Sequence, residues 1–142
     1  MDLRQLTPDL AVSPQIMPHE VPALAAAGFK VLVNNRPDAE TAPDHDSHTM
    51  RAAAEAAGMQ YHEIPFTPGR ITPDMIADYE VAISGAKPVI AYCRSGNRST
   101  TLWALTQAGR LPEAEIVETA LRAGYDLTPV RPLIASLAGN RR

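Results

Sequence analysis

The chain has 142 residues, of which 45% are hydrophobic and 20% charged, the size and composition of an ordinary globular domain. Its formal net charge of −3 argues against nucleic acid or an acidic membrane surface as partner. One cysteine excludes an intramolecular disulfide, and neither a signal peptide nor an apolar run of about 18 residues is present, so we expect a soluble, cytoplasmic protein.

Apolar runs alternate with helical patterns along the chain. Strands are predicted at residues 11–13, 29–34, 59–64 and 88–92. Helices are predicted at residues 18–27, 48–57, 73–84, 98–108, 112–123 and 129–138, with Ser47 and Thr72 as N-caps of the second and third. Strands separated by helices indicate βαβ units. The sequence therefore predicts one α/β domain over residues 1–142, with a central, mainly parallel sheet of four to five strands flanked by helices.

The segment after the last predicted strand carries the chemistry. It reads Cys93-Arg94-Ser95-Gly96-Asn97-Arg98-Ser99 and lies at the carboxyl end of a parallel strand, where α/β sheets bind ligands. Its amides and the following helix start can form an anion site, and positive charge favours the thiolate. Cys93 and Arg98 are the predicted catalytic residues. The predicted anion-binding residues are Arg94, Ser95, Gly96, Asn97 and Ser99, and Ser99 or Thr100 is expected to donate to the sulfur or cap the helix.

A lone cysteine after an apolar strand is more often a buried core residue than a nucleophile. Two arginines so close to Cys93 fit a buried core badly. We therefore favour the nucleophile.

Polar residues that follow the second predicted strand should face the same crevice. Asn35, Arg36 and Asp38 are candidate pocket residues, although turn chemistry explains them about as well. The Asp and His residues at 44–48 offer no ligand set of three or four, so neither a metal nor another cofactor is expected.

The Cys93 loop resembles those of two enzyme groups. Protein tyrosine and dual-specificity phosphatases carry His-Cys, five residues and Arg, whereas rhodanese-type sulfurtransferases carry Cys and often Arg after four. Here four residues separate Cys93 from Arg98, and Tyr92 stands in place of the histidine.

Most of residues 1–125 resembles the phosphatase-like domain of bacterial beta-lactamase hydrolase-like proteins, which also occurs fused to persulfide dioxygenase-type or sulfide-oxidising enzymes. The similar segments are 10–16, 28–30, 35–40 and the Cys93 loop, and residues 31–37 resemble the strand-to-loop segment of compact dual-specificity phosphatases. The resemblance implies a dual-specificity-phosphatase-like fold with a loop of rhodanese length.

Loop length and one absent acid favour sulfur transfer over phosphate hydrolysis. Phosphatases protonate the leaving oxygen, usually with an Asp, and the loop at 65–70 has none. Acids that could substitute are Asp38, Glu40, Asp44 and Asp46. The leading prediction is a rhodanese-type sulfurtransferase in which Cys93 takes sulfane sulfur from thiosulfate or a small persulfide. The expected partners are an anionic sulfur donor, a thiol acceptor and, as a further candidate, a sulfide- or persulfide-oxidising enzyme.

Two alternatives stay open. In the first, Cys93 forms a phosphocysteine and the protein is a phosphatase of the tyrosine or dual-specificity type. In the second, the loop binds anions or a partner without catalysis.

Overall fold

The computed structural model describes residues 2–67 and 69–140. Five strands form one sheet in the order β1-β2-β5-β3-β4, with β1 antiparallel to β2 and the other pairs parallel. The strands are β1 (Arg4–Thr7), β2 (Leu10–Ser13), β3 (Val31–Asn34), β4 (Gln60–Glu63) and β5 (Val89–Tyr92). The helices are α1 (Val21–Ala26), α2 (Ser47–Ala56), α3 (Pro73–Ser84), α4 (Asn97–Gln107), α5 (Glu113–Arg122) and α6 (Arg131–Asn140).

Helices cover both faces of the sheet. One apolar cluster joins alternate strand residues to α1 and α2, with Leu24, Leu32 and Met50 fully or almost fully buried. The larger cluster joins the opposite strand faces to α3, α4, α5 and α6. Because both faces are covered, every residue of β2, β3 and β5 is buried, as expected for parallel strands.

The predicted fold class is confirmed: the sheet is mainly parallel, has five strands and is flanked by helices. The strand β1 was not predicted, because in this edge strand only Leu6 is buried and no apolar run marks it.

Ser47 was predicted as the N-cap of α2 but is its first residue. Asp46 is the N-cap, since its backbone is extended and its carboxylate accepts the Thr49 N–H at 2.9 Å.

Residues between β3 and α2 contain two short 3-10 helices, Asp38–Glu40 and Pro43–His45, where the sequence predicted only loop. In the described part of the chain, no helix is long and apolar enough to cross a bilayer.

The sheet order places three strand ends side by side. Tyr92 at the end of β5 is in register with Ser13 of β2 and with Asn34 of β3. The segments leaving these strands therefore meet at one edge, and the segment after Tyr92 lies between the other two.

Candidate active site

Cys93 leaves β5 with its side chain fully buried. Its Sγ accepts the Gly96 backbone N–H at 3.0 Å, and its own N–H donates to the Ser13 carbonyl at 3.4 Å. Because Gly96 is the N-cap of α4, the positive end of that helix faces the sulfur. The strand, loop and helix thus place a sulfur atom where negative charge is stabilised.

Gly96 is required at the turn of the loop. Its φ is +92°, a conformation that residues with a Cβ resist. A Cβ at this position would also lie only 2.1 Å from the Tyr125 hydroxyl. That hydroxyl donates to the Ser95 carbonyl at 3.1 Å, so Tyr125 supports the loop from outside.

The hydroxyls after Arg98 do not reach the sulfur. Ser99 donates to Asn35 Oδ1 at 2.7 Å, and Thr100 donates to the Gly96 carbonyl at 2.8 Å. The expectation that one of them donates to Sγ or caps the helix is wrong, because each hydroxyl donates to another oxygen and the N-cap of α4 is Gly96. The Ser99 bond instead holds α4 against the residue that follows β3, whereas the Thr100 bond stays within the first turn of α4.

Tyr79 of α3 contacts the first turn of α4. Its hydroxyl donates to the Ser99 carbonyl at 3.0 Å. Burial, and secondarily the charge on Cys93, raises the pKa of Tyr79, so its hydroxyl keeps its proton and remains a donor.

Arg98 is oriented by Glu40. Nη1 and Nη2 donate to the two Glu40 carboxylate oxygens at 2.9 and 2.7 Å, and Nη1 also donates to the Phe66 carbonyl at 2.8 Å. Burial alone would lower the pKa of Arg98, but Glu40 and the negative charge of Cys93 together raise it. The guanidinium is a fixed positive charge close to the sulfur.

A second arginine holds the same carboxylate. Arg36 Nε lies 3.5 Å from Glu40 Oε1, and Arg36 Nη1 donates to Gln15 Oε1 at 2.9 Å. The Gln15 backbone N–H in turn donates to the Arg94 carbonyl at 3.3 Å. Glu40 and Gln15 thus connect the segments after β2 and β3 to the Cys93 loop.

The Glu40 carboxyl gives a prediction for acid stability. Its hydrogen bonds to Arg98, followed by the charges of Arg98 and Arg36, outweigh the effect of burial and lower the pKa of Glu40. A lowered folded-state pKa adds stability above the unfolded value of about 4.3, and that stability is lost as pH falls through the folded value.

We therefore expect Glu40→Gln to have a lower free energy of unfolding than the wild type at pH 7. The difference between the two proteins should become smaller below pH 4. Urea titrations of both proteins at a series of pH values measure this gap. A gap that stays constant as the pH falls would contradict the ion pair.

The structure positions the other predicted residues as follows. The Arg94 and Asn97 side chains are exposed, and Ser95 Oγ accepts the Asn97 N–H at 3.3 Å. Asn35 Nδ2 donates to the Ile64 carbonyl at 2.9 Å, while Asp38 Oδ1 accepts the Ser47 N–H at 2.8 Å. Asn35 therefore belongs to the site's framework, whereas Asp38 anchors the start of α2.

Sequence reasoning missed three features of this site. The sequence suggests Glu40 only as a proton donor and Gln15 only as part of a similar segment, and it does not suggest Tyr125 at all. Gln15 and Glu40 could have been suspected, because both follow strands at the ligand-binding edge. Tyr125 follows α5 and carries no motif, so only the three-dimensional structure reveals its role.

The acidic and histidine residues at 44–48 have local roles. Asp44 pairs with His45 at 2.7 Å, and Asp46 caps α2. Within residues 2–67 and 69–140, no group of three or more potential metal ligands comes together.

The central strand of a parallel sheet thus ends at a buried cysteine, in a loop closed by a helix N-terminus and an arginine, an arrangement suited to a nucleophilic thiolate. The comparisons identify the class of protein as phosphatase-like. Residues 2–110 match the model of the beta-lactamase hydrolase-like protein, phosphatase-like domain. The chain belongs to this family.

Individual relatives agree. The chain is 36% identical over 121 residues to a beta-lactamase hydrolase-like protein from Agrobacterium fabrum, covering 83% of this chain but only 28% of that relative. A crystal structure of a putative phosphatase from Neisseria meningitidis has 30% identity and a TM-score of 0.84, covering 96% of this chain and 99% of that one. Tk-PTP in its active form shares the fold, with 17% identity, a TM-score of 0.74 and coverage of 99% and 98%.

The sulfurtransferase prediction is wrong, because the family and the similar structures are phosphatase-like. The four-residue spacing between Cys93 and Arg98 was used as an argument for sulfur transfer, and it does not decide the chemistry. The left-handed turn at Gly96 still directs an amide onto Sγ, and Glu40 still holds Arg98 near the sulfur. A loop with four residues between the cysteine and the arginine therefore still brings a backbone amide and a guanidinium to the sulfur.

Proposed function

We propose that this domain is a cysteine-dependent phosphatase that hydrolyses phosphate monoesters or related monophosphoryl groups through a phosphocysteine on Cys93. The observation that carries the proposal is the buried Sγ that accepts the Gly96 N–H at 3.0 Å beside an arginine oriented by Glu40. The similarity to the putative phosphatase from Neisseria meningitidis supports it.

The donors of Arg98 suit a phosphoryl group. A guanidinium has five N–H bonds, and three of them donate to Glu40 and the Phe66 carbonyl. The remaining two, on Nε and Nη2, share one edge and match two phosphate oxygens in a bidentate pair. The guanidinium also hydrogen-bonds the Cys93 side chain, which keeps Arg98 beside the sulfur.

The Gly96 and Asn97 amides donate to Cys93 Sγ and Ser95 Oγ. The next amides of the first turn of α4, those of Arg98 and Ser99, have no carbonyl within the helix to bond, so they supply further donors to the phosphoryl oxygens.

The reaction takes place in two displacements. The Cys93 thiolate attacks phosphorus, an S–P bond forms, and the bond to the leaving oxygen breaks with its electron pair on that oxygen. Water then attacks the phosphocysteine, the S–P bond breaks, and inorganic phosphate departs from the regenerated thiolate. Arg98 and the loop amides stabilise the charge on the phosphoryl oxygens in both transition states.

Replacing Arg98 tests this role. Arg98→Lys keeps the charge but not the bidentate edge, so we expect kcat/KM for an aryl phosphate to fall by about 10²–10³. Inorganic phosphate release measures the rate. Arg122→Lys, in the exposed last turn of α5, is the matched control and should behave like the wild type.

Wild-type phosphate release no faster than that of Cys93→Ser would refute the proposed activity. If the protein then bound inorganic phosphate without turnover, the alternative of an anion-binding module would replace it.

A further inference from the structure

We infer that this site acts on phosphoryl groups attached to weakly basic leaving groups, such as phosphoanhydrides, acyl phosphates or aryl phosphates, and discriminates against alkyl phosphoesters. The inference rests on the proposed function and specifies its substrate class. It follows from the hydrogen bonds of the carboxylates at the ligand-binding edge.

An acid that protonates a leaving group must hold a proton and present it towards the reacting oxygen. The loop after β4, at residues 65–70, contains no Asp, Glu or His. The carboxylic acids that remain at this edge lie in the segment between β3 and α2, at the end of β4 and next to Tyr125.

The carboxylates between β3 and α2 are occupied as acceptors. Asp38 Oδ1 accepts the Ser47 N–H at 2.8 Å, and Asp46 Oδ1 accepts the Thr49 N–H at 2.9 Å. The hydrogen bonds from the Thr49 backbone and side chain outweigh the effect of burial and lower the pKa of Asp46. Asp44 pairs with the ring of His45. These three carboxylates hold the start of α2 and the residues before it through their acceptor oxygens.

Glu40 is the carboxylate nearest the chemistry, because it contacts Arg98 directly. Both of its oxygens accept from the guanidinium, and the same bonds lower the pKa of Glu40. It orients the arginine as an anion and so cannot also deliver a proton at neutral pH.

Two further carboxylates border this edge. Glu63, at the end of β4, accepts from the Ser47 hydroxyl. Asp126, next to Tyr125, accepts from the Thr128 hydroxyl and backbone N–H at 2.6 and 2.9 Å, and these bonds lower the pKa of Asp126. In the part of the chain that the structure describes, each of these six carboxylates is thus already a hydrogen-bond acceptor.

The first displacement then proceeds without proton transfer from the protein. Sγ bonds to phosphorus, and the leaving oxygen takes the electron pair of the breaking P–O bond and departs as an anion. It acquires a proton from solvent only afterwards. A phosphate, carboxylate or phenolate anion is stable enough to leave in this way, whereas an alkoxide is not.

A leaving-group series tests the inference on the full chain. We would measure kcat/KM, which reports the first displacement, for aryl phosphates whose phenols range from strongly to weakly acidic. We expect a fall of at least about 100-fold across the series, because a general acid that would level it contributes about 10²–10⁴-fold. Acetyl phosphate, pyrophosphate and an alkyl phosphate extend the series, and the first two distinguish acyl phosphates from anhydrides as substrates.

Asp38→Asn is the matched variant, because an Asn oxygen still accepts the Ser47 N–H but carries no acidic proton. We expect it to leave the slope of the series unchanged. Three results would overturn the inference but leave the phosphatase activity established. The first is a wild-type kcat/KM that does not change with the acidity of the leaving phenol, and the second is an alkyl phosphate hydrolysed as fast as the aryl phosphates. The third is a kcat/KM that depends more steeply on that acidity in Asp38→Asn than in the wild type. Absence of any Cys93-dependent phosphate release would instead refute the proposed function, and the inference with it.

Discussion

Replacing Cys93 with serine should reduce phosphate release to near the uncatalysed rate while leaving the fold intact. The expected loss in kcat is about 10⁶-fold, the size found when the nucleophile of another covalent hydrolase is removed. A serine hydroxyl at the same position is far less ionised than a thiol, so the charge that the Gly96 N–H and Arg98 stabilise is absent. Steady-state release of inorganic phosphate from an aryl phosphate measures the effect.

Two observations separate a chemical loss from a structural one. Urea unfolding of Cys93→Ser should stay close to that of the wild type, since the side chain changes by a single atom in a fully buried site. Rapid acid quenching of the wild type during turnover should trap one phosphoryl group, which peptide mass analysis should locate on Cys93. A phosphoryl group on another residue, or a variant that keeps most of its activity, would contradict the proposed mechanism.

Gly96→Ala should lower both the stability and the activity of the protein more than a glycine-to-alanine substitution outside the Cys93 loop. Alanine must adopt a φ of +92° and places its Cβ 2.1 Å from the Tyr125 hydroxyl. We expect a loss of about 2–3 kcal/mol in the free energy of unfolding, from backbone strain and the broken bond to the Ser95 carbonyl. A displacement of the loop by about 1 Å should lower kcat/KM about 100-fold.

Gly58→Ala provides the matched control. Gly58 also has a positive φ, of +78°, but an added Cβ would meet nothing within 4 Å. It follows α2 at a distance in sequence from the Cys93 loop, so the change should cost about 1–2 kcal/mol of stability through strain alone and leave kcat/KM unchanged. Equal effects of the two substitutions on both stability and activity would show that the contact with Tyr125 has no role.

The sheet and the nucleophile could be predicted because both leave local patterns. Four apolar runs separated by helical segments predict a parallel sheet, and the cysteine directly after the run at 88–92 falls at its ligand-binding edge. The strand β1 left no such pattern, because only one of its four residues is buried and it is recognised by its pairing with β2.

The partners within the site could not be predicted in the same way. Arg98 and Glu40 are separated by 58 residues, as the bond between them shows, and no local pattern reports that contact. Glu40 therefore resembled a possible acid in the sequence, although its pairing makes it an anion. The prediction of sulfur rather than phosphorus chemistry was wrong for the same reason. Loop length can be read from neighbouring residues, whereas the arrangement of hydrogen-bond donors depends on contacts between distant segments.

The sharing of Glu40 by two arginines determines how the site responds to the charge of its ligand. Arg36, Arg98 and Glu40 together carry one net positive charge, within a chain whose formal net charge is −3. A doubly charged phosphoryl group is therefore not neutralised by these side chains alone, and backbone dipoles must balance the remainder. Salt screens such charges beyond about 8 Å at physiological ionic strength, so attraction should act mainly at close range, where only a group small enough to enter the loop can experience it.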